Sequence, residues 1–146
     1  MRIAIASDHA GFELKEHVKA QLTAAGHDVV DVGPATDEST DYPRYARPAA
    51  RLVADGDAER GVLVCGSGVG VSIVANKVPG VRAVNAHDPE EAALARAHND
   101  VNVVTLSGRR LDGEQADAIV SAFIDGEFEG GRHARRVDAI EEPAAD

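Results

Sequence analysis

A single cysteine closes a short apolar run, and three glycines follow it at alternate positions: Val62-Leu63-Val64-Cys65-Gly66-Ser67-Gly68-Val69-Gly70. The stretch after it, Val71-Ser72-Ile73-Val74-Ala75-Asn76-Lys77, reads as a helix. A strand that delivers a thiol to a glycine turn at a helix N-terminus is a setting for nucleophilic or base chemistry. The helix dipole and the free backbone N–H groups there favour an anion, whether thiolate, oxyanion or phosphate. A lone cysteine is more often a small core residue, and glycines often serve only as turn residues. The strand-end position favours chemistry for Cys65. Alternate Gly66, Gly68 and Gly70 exceed what a turn needs and let backbone N–H groups approach a negative oxygen. The common phosphate loops do not fit: GxxxxGK[ST] is absent, and GSGVG is GxGxG, not GxGxxG. A cysteine phosphatase would need an Arg six positions after the thiol, where Val71 stands.

Other residues could serve the same site. Asp8-His9 follows the first strand and offers a carboxylate and an imidazole, although Asp at a helix start is often only a cap. His98-Asn99-Asp100 ends a helix, where capping and function weigh equally. Arg132, Arg135 and Arg136 stand out in an acidic chain and suit a phosphate-bearing ligand, with a solvated basic turn as the plain alternative. Arg109-Arg110 carries the same reading more weakly. His17, His27, His87 and His133 show no metal-ligand spacing, and no metal site is expected.

These residues need a scaffold, and the composition bounds it. The chain has 146 residues, 44% hydrophobic and 27% charged, which suits one globular domain. Aromatics are only 3%, so the core must be Val, Ala, Leu and Ile. A net charge of −10 argues against nucleic-acid binding. No apolar run approaches membrane-spanning length, so no membrane partner is expected. The N-terminus shows no signal-peptide pattern, and one cysteine suits a reducing cytoplasm.

Short apolar strands at 2–7, 27–32, 61–65, 81–85 and 101–106 alternate with helical stretches at 12–25, 45–55, 69–77, 89–98 and 113–124. A last short helix, then a frayed tail, is expected from about 137. This alternation implies right-handed βαβ units in an α/β three-layer sandwich. The expected sheet is five-stranded, parallel and flavodoxin- or Rossmann-like, of order 2-1-3-4-5, with helices on both faces. Its switch point lies between strands one and three, which places Asp8-His9 beside Cys65-Gly66-Ser67.

The pieces SDHAGF at 7–12, TDYP at 40–43, CGSGVGVSIVANK at 65–77, RAV at 82–84, HND at 98–100 and GGRHARRV at 130–137 together resemble the type B ribose-5-phosphate isomerases and their relatives, the galactose-6-phosphate isomerase subunits. The resemblance runs from Arg2 to about Glu142. It implies an intramolecular oxidoreductase of the pentose phosphate pathway. Such an enzyme interconverts ribose 5-phosphate and ribulose 5-phosphate through a cis-enediolate, with neither metal nor cofactor. By that resemblance Cys65 is the base and Ser67 shuttles hydroxyl protons. Asp8 and His98 assist ring opening, and Tyr42 lies near the substrate. The N–H groups of Gly66, Ser67, Gly68, Val69 and Gly70 hold the enediolate. His9, Arg109, Arg132 and Arg136 grip the phosphate, and Asn99 contacts substrate hydroxyls. Some relatives use a Glu a few residues later instead of the thiol; Val71-Ser72 in that region places this chain with the cysteine kind. The resemblance also implies a homodimer, or a dimer of dimers, whose sites are shared, with His98, Asn99 and Arg109 serving the neighbour's Cys65. Ser67 stands where many relatives carry Thr, and the segment after strand four varies in the family. A hexose 6-phosphate (allose or galactose) or an unphosphorylated rare sugar is therefore an alternative substrate. A sugar-phosphate sensor or inactive partner subunit is the alternative without catalysis, disfavoured because Cys65, Asp8 and His98 are all present.

Overall fold

The computed structural model describes residues 1–143. Eleven elements follow in order: β1 Arg2–Ser7, α1 Phe12–Ala24, β2 Asp28–Gly33, α2 Pro43–Ala54, β3 Arg60–Cys65, α3 Val69–Asn76, β4 Ala83–Asn85, α4 Pro89–Asn99, β5 Val103–Ser107, α5 Gly113–Asp125 and α6 Arg132–Glu141. All strand pairs are parallel. Two helices, α4 and α5, start where the sequence supplies side-chain caps. Asp88 accepts the Glu91 N–H at the head of α4, and Asp112 forms a reciprocal capping box with Gln115 at the head of α5.

The sheet order is β2-β1-β3-β5-β4 rather than 2-1-3-4-5. Burial explains the exchange. An inner strand of a parallel sheet is covered on both faces and must be apolar on both. All five residues of β5 are buried, whereas β4 has three residues, all half-buried. The longer, drier strand takes the place beside β3, and the short one takes the edge. The exchange also moves a helix. The chain steps outward from β3 to β4 and back inward to β5, so right-handed crossovers send α3 and α4 to opposite faces. α4 packs on α5, and α5 on α1, while α2 packs on α3.

Side-chain alternation along the strands builds one core on each face. Ile3, Ile5, Val62, Val64, Val104 and Leu106 point toward α1, α4 and α5 and pack with Val18, Ile119 and Phe123. Ala4, Ala6, Leu63, Cys65 and Val103 point toward α2 and α3 and pack with Ala46, Ala50 and Val71. The small residues of the second face let α2 and α3 lie close to the sheet. They also aim the Cys65 side chain at the start of α3.

One further expectation is corrected. The last helix begins at Arg132, not near 137. Gly130 and Gly131, at φ +64° and +56°, turn the chain sharply, and α6 begins directly after them. The arginines therefore lie within the helix, with Arg132 and Arg136 one turn apart on an exposed face. The expected tail continues past 143, outside the described residues.

Candidate active site

The carboxyl ends of β1, β3 and β5 open into a cavity of about 390 Å³. Asp8, His9, Tyr42, Cys65, Gly66, Ser67, Val69, Gly70 and Arg109 line it. The expected adjacency of Asp8-His9 and Cys65 holds, because β1 pairs with β3 and Ser7 lies opposite Val64. Asp8 is buried, and its backbone N–H donates to Val64 O at 3.2 Å. Its carboxylate accepts the Gly11 N–H at 3.0 Å, which closes the turn that starts α1. Gly11, not Asp8, is the cap of α1, and the Asp8 side chain holds the turn before it while lining the cavity. His9 Nδ1 lies 3.1 Å from Thr40 O and 3.2 Å from Thr40 N. Accepting that N–H leaves Nε2–H as a donor toward a ligand.

The Cys65 thiol is buried, and its sulfur accepts the Gly68 N–H at 3.2 Å. Gly68 caps α3 in the left-handed region, at φ +77°, which a side chain would strain. The Val69 N–H reaches Ser67 Oγ at 3.2 Å. In the first turn of α3 the remaining N–H groups have no partner within the helix and face an anion with the positive end of the dipole. Two glycines also leave room for neighbours. A β-carbon on Gly66 would lie 3.0 Å from the Arg109 guanidinium carbon, and one on Gly70 would lie 2.6 Å from the Tyr42 ring. Arg109 therefore covers the turn of its own chain, not a neighbour's. Its own N–H donates to Gly66 O at 3.1 Å.

The remaining candidates are elsewhere. α4 runs from the cavity edge of the sheet to the opposite edge and carries His98, nine residues after Pro89, about 14 Å down the helix. There His98 stacks on His133 of α6, with ring centroids 4.4 Å apart and planes 13° from parallel. Glu129 Oε2 lies 3.9 Å from His98 Nε2 and 3.6 Å from His133 Nε2. Burial, then the charges of His98 and Arg132, hold the His133 imidazole below its usual range. Asn99, Arg132 and Arg136 are exposed beside this stack. The helix end itself is capped by Asp100, at φ +46°, which accepts Arg96 at 2.7 Å. Arg82 ties the group together. It donates to the carbonyls of Asn99 and Asp100 and pairs with Asp100 and with Glu141 of α6. One chain therefore carries the thiol cavity and the imidazole stack at opposite edges of its sheet.

Among the described residues, one cluster could hold a metal: the ligand atoms of His98, Glu129 and His133 lie within 4.8 Å of one another. Sequence spacing did not reveal it, since the three sit on two elements and a loop. Two stacked imidazoles send their lone pairs side by side rather than toward one ion, so coordination would require one ring to turn. Also missed were Arg82 and Ile73, whose apolar side chain pairs with that of Val69, half-exposed one turn apart on α3 at the cavity rim. The readable signal for that pair was an apolar i, i+4 spacing on the outward face of α3.

The comparisons with known proteins agree with this fold. A family model described as Ribose/Galactose Isomerase matches residues 3–140. A ribose-5-phosphate isomerase B of Escherichia coli (strain K12) is 47% identical over 139 residues, 95% of this chain and 93% of that protein. A D-erythrulose-4-phosphate isomerase of Pectobacterium atrosepticum is 40% identical, over 96% of this chain and 93% of its own length. The crystal structure of ribose-5-phosphate isomerase B from Mycoplasma genitalium with bound ribulose-5-phosphate superposes with a TM-score of 0.91. It is 44% identical, covering 96% of this chain and 93% of that one.

Proposed function

Because the chain belongs to the ribose/galactose isomerase family, we propose that it interconverts ribose 5-phosphate and ribulose 5-phosphate through a cis-enediolate, with Cys65 as the base. The single observation that carries this reading is the Gly68 N–H on the Cys65 sulfur, at the head of α3 and inside a cavity of small-ligand size. The N–H donor and the helix N-terminus both put the positive end of a dipole at the sulfur.

The steps balance without an outside oxidant or reductant. Asp8, and an imidazole presented by His98, help open the furanose. The Cys65 thiolate takes the proton from C2 of the open aldose, and the electron pair moves onto the carbonyl oxygen at C1. The N–H groups of the 66–70 turn hold the negative charge that forms there. Ser67, whose hydroxyl the Val69 N–H orients, passes the proton leaving the C2 hydroxyl toward the C1 oxygen. The thiol then returns its proton to C1, which gives the ketose. His9, Arg109, Arg132 and Arg136 hold the phosphate, and Asn99 holds a hydroxyl.

The two half-sites of one chain are too far apart to meet. The catalytic unit is therefore a homodimer in which one subunit supplies the Cys65 cavity and its partner supplies His98, Asn99, Arg132 and Arg136. The half-exposed Val69 and Ile73 at the cavity rim support a second copy closing over it. The free thiol suits a reducing, cytoplasmic setting.

Initial rates on ribose 5-phosphate, erythrulose 4-phosphate, allose 6-phosphate, galactose 6-phosphate and free ribose, with EDTA present, test the reading. A preference for ribose 5-phosphate is expected. Preference for the four-carbon ketose, as in the Pectobacterium relative, keeps the site and changes the substrate. Loss of all turnover in EDTA overturns a mechanism that uses only these side chains.

A further inference from the structure

Four consecutive carbonyls of the cysteine turn are tied back toward β5 and β4. Cys65 O accepts the Gly108 N–H at 2.8 Å. Gly66 O accepts the Ser107 hydroxyl at 2.7 Å, besides the Arg109 N–H. Ser67 O accepts the Asn85 carboxamide N–H at 3.3 Å. Gly68 O accepts the Thr105 hydroxyl at 2.9 Å. In a planar trans peptide the N–H points opposite to the preceding C=O. Each tie therefore aims one N–H the other way. The Asn85 bond to Ser67 O aims the Gly68 N–H, which lands on the Cys65 sulfur. The Thr105 bond to Gly68 O aims the Val69 N–H, which lands on Ser67 Oγ. The hydrogen bonds on the two reacting side chains are thus set from behind, through ties 18 and 37 positions apart in sequence.

We propose that Asn85 and Thr105 are positioning residues of the isomerase site, holding the turn in the one peptide orientation that points N–H groups at the thiolate and the enediolate. This rests on the isomerase reading above. Three observations support it. Thr105 is fully buried in a strand that is otherwise Val, Val and Leu up to Ser107, so its hydroxyl needs a partner, and Gly68 O is the nearest acceptor. Its oxygen also lies 3.2 Å from Asn85 Oδ1, which couples the two side chains. A β-carbon on Gly68 would collide with Asn85 Oδ1, so the left-handed glycine and the Asn85 side chain fit only as a pair. Without Asn85 the Ser67–Gly68 peptide loses its carbonyl tie, and without Thr105 the Gly68–Val69 peptide is held only by the Ser72 N–H on Gly68 O at 3.2 Å. A rotated peptide would present a carbonyl oxygen to the developing negative charge.

The test uses Thr105→Val, which keeps the shape and removes the hydroxyl, Thr105→Ser, which keeps it, and Asn85→Asp, which replaces the donor with an acceptor. Turnover of ribose 5-phosphate and the alkylation rate of Cys65 by iodoacetamide are measured on each folded protein. Thr105→Val and Asn85→Asp are expected to lower kcat about tenfold, the equivalent of one well-formed hydrogen bond. KM should stay within twofold, and Cys65 alkylation should slow at least threefold. Thr105→Ser should stay within twofold of the parent in both. A kcat within twofold for Thr105→Val, or an equal loss in Thr105→Ser, overturns the proposal. If Thr105→Val does not fold, Asn85→Asp, at a half-buried position, decides it by the same thresholds. A parent protein that isomerises nothing while alkylation still slows in the variants would remove the isomerase reading and leave the positioning role standing.

Discussion

Cys65 is held by its neighbours more than by its own packing. The sulfur is a weak acceptor, and its N–H partner is a backbone group that cannot be mutated away. The side chain itself can be. Cys65→Ala should leave fold and phosphate binding intact while lowering kcat by about 10²–10⁴-fold, the usual worth of a positioned acid–base group. Retention of substantial turnover in steady-state assays would remove the assigned base. This residue was legible in the sequence because everything that marks it is contiguous: strand, thiol, glycines, helix. Asp8 was legible for a similar reason, since a parallel sheet with a switch point predicts its neighbour. Asn85 and Thr105 were not. Their effect on the thiol passes through two peptide planes, and such a coupling has no local pattern. Arg109 was placed at a neighbour's site by resemblance, yet it lies on its own Gly66. Only the turn after β5, brought beside β3 by the sheet order, could decide that.

At the scale of elements, the order of β4 and β5 was the main misreading. Alternation and handedness allow both orders, and the decision rests on burial of whole strands, with three half-buried residues against five buried ones. The start of α6 was missed because Arg132 to Arg136 reads as a basic turn until the two glycines before it adopt positive φ. A charge cluster around one buried lysine pins α1 to β2. Lys15, wholly buried, donates to Asp31 at 2.9 Å and to Pro34 O at 2.8 Å. Burial raises the Asp31 pKa, but hydrogen bonds from Lys19 and Lys15 outweigh it and leave the carboxyl below its ordinary value of 3.8. A depressed carboxyl stabilises the fold above its unfolded value and loses that contribution as pH falls through the acid range. Lys15→Met should therefore cost about 1 kcal/mol at neutral pH, because Asp31 is exposed and keeps Lys19 at 2.7 Å. The gap between variant and parent in urea melts should narrow below about pH 4. A gap independent of pH would show that packing of the lysine stem, not its charge, matters.

At the scale of the whole molecule, each chain holds its thiol half-site at one edge of the sheet and its imidazole half-site at the other. On the proposed pairing, Cys65→Ala and His98→Asn are each inactive alone, but a mixed dimer contains one intact site. Refolding the two variants together in equal amounts should restore about a quarter of the parent activity, since half the dimers are mixed and each has one of two sites. No recovery, with mixed dimers confirmed by mass, would place both half-sites' functions within one chain. The sequence alone left this open, because the HND and GGRHARRV segments carry residue types but not the edge on which they fall.

The inward return from β4 to β5 has one more consequence. On the proposed pairing, sending α4 down the far face makes each sugar phosphate a tether between two molecules, gripped at one end by each. Such a ligand binds the pair and not the separated chains, so its concentration enters the association equilibrium directly. On dilution, the substrate itself then helps to keep the machinery that consumes it assembled.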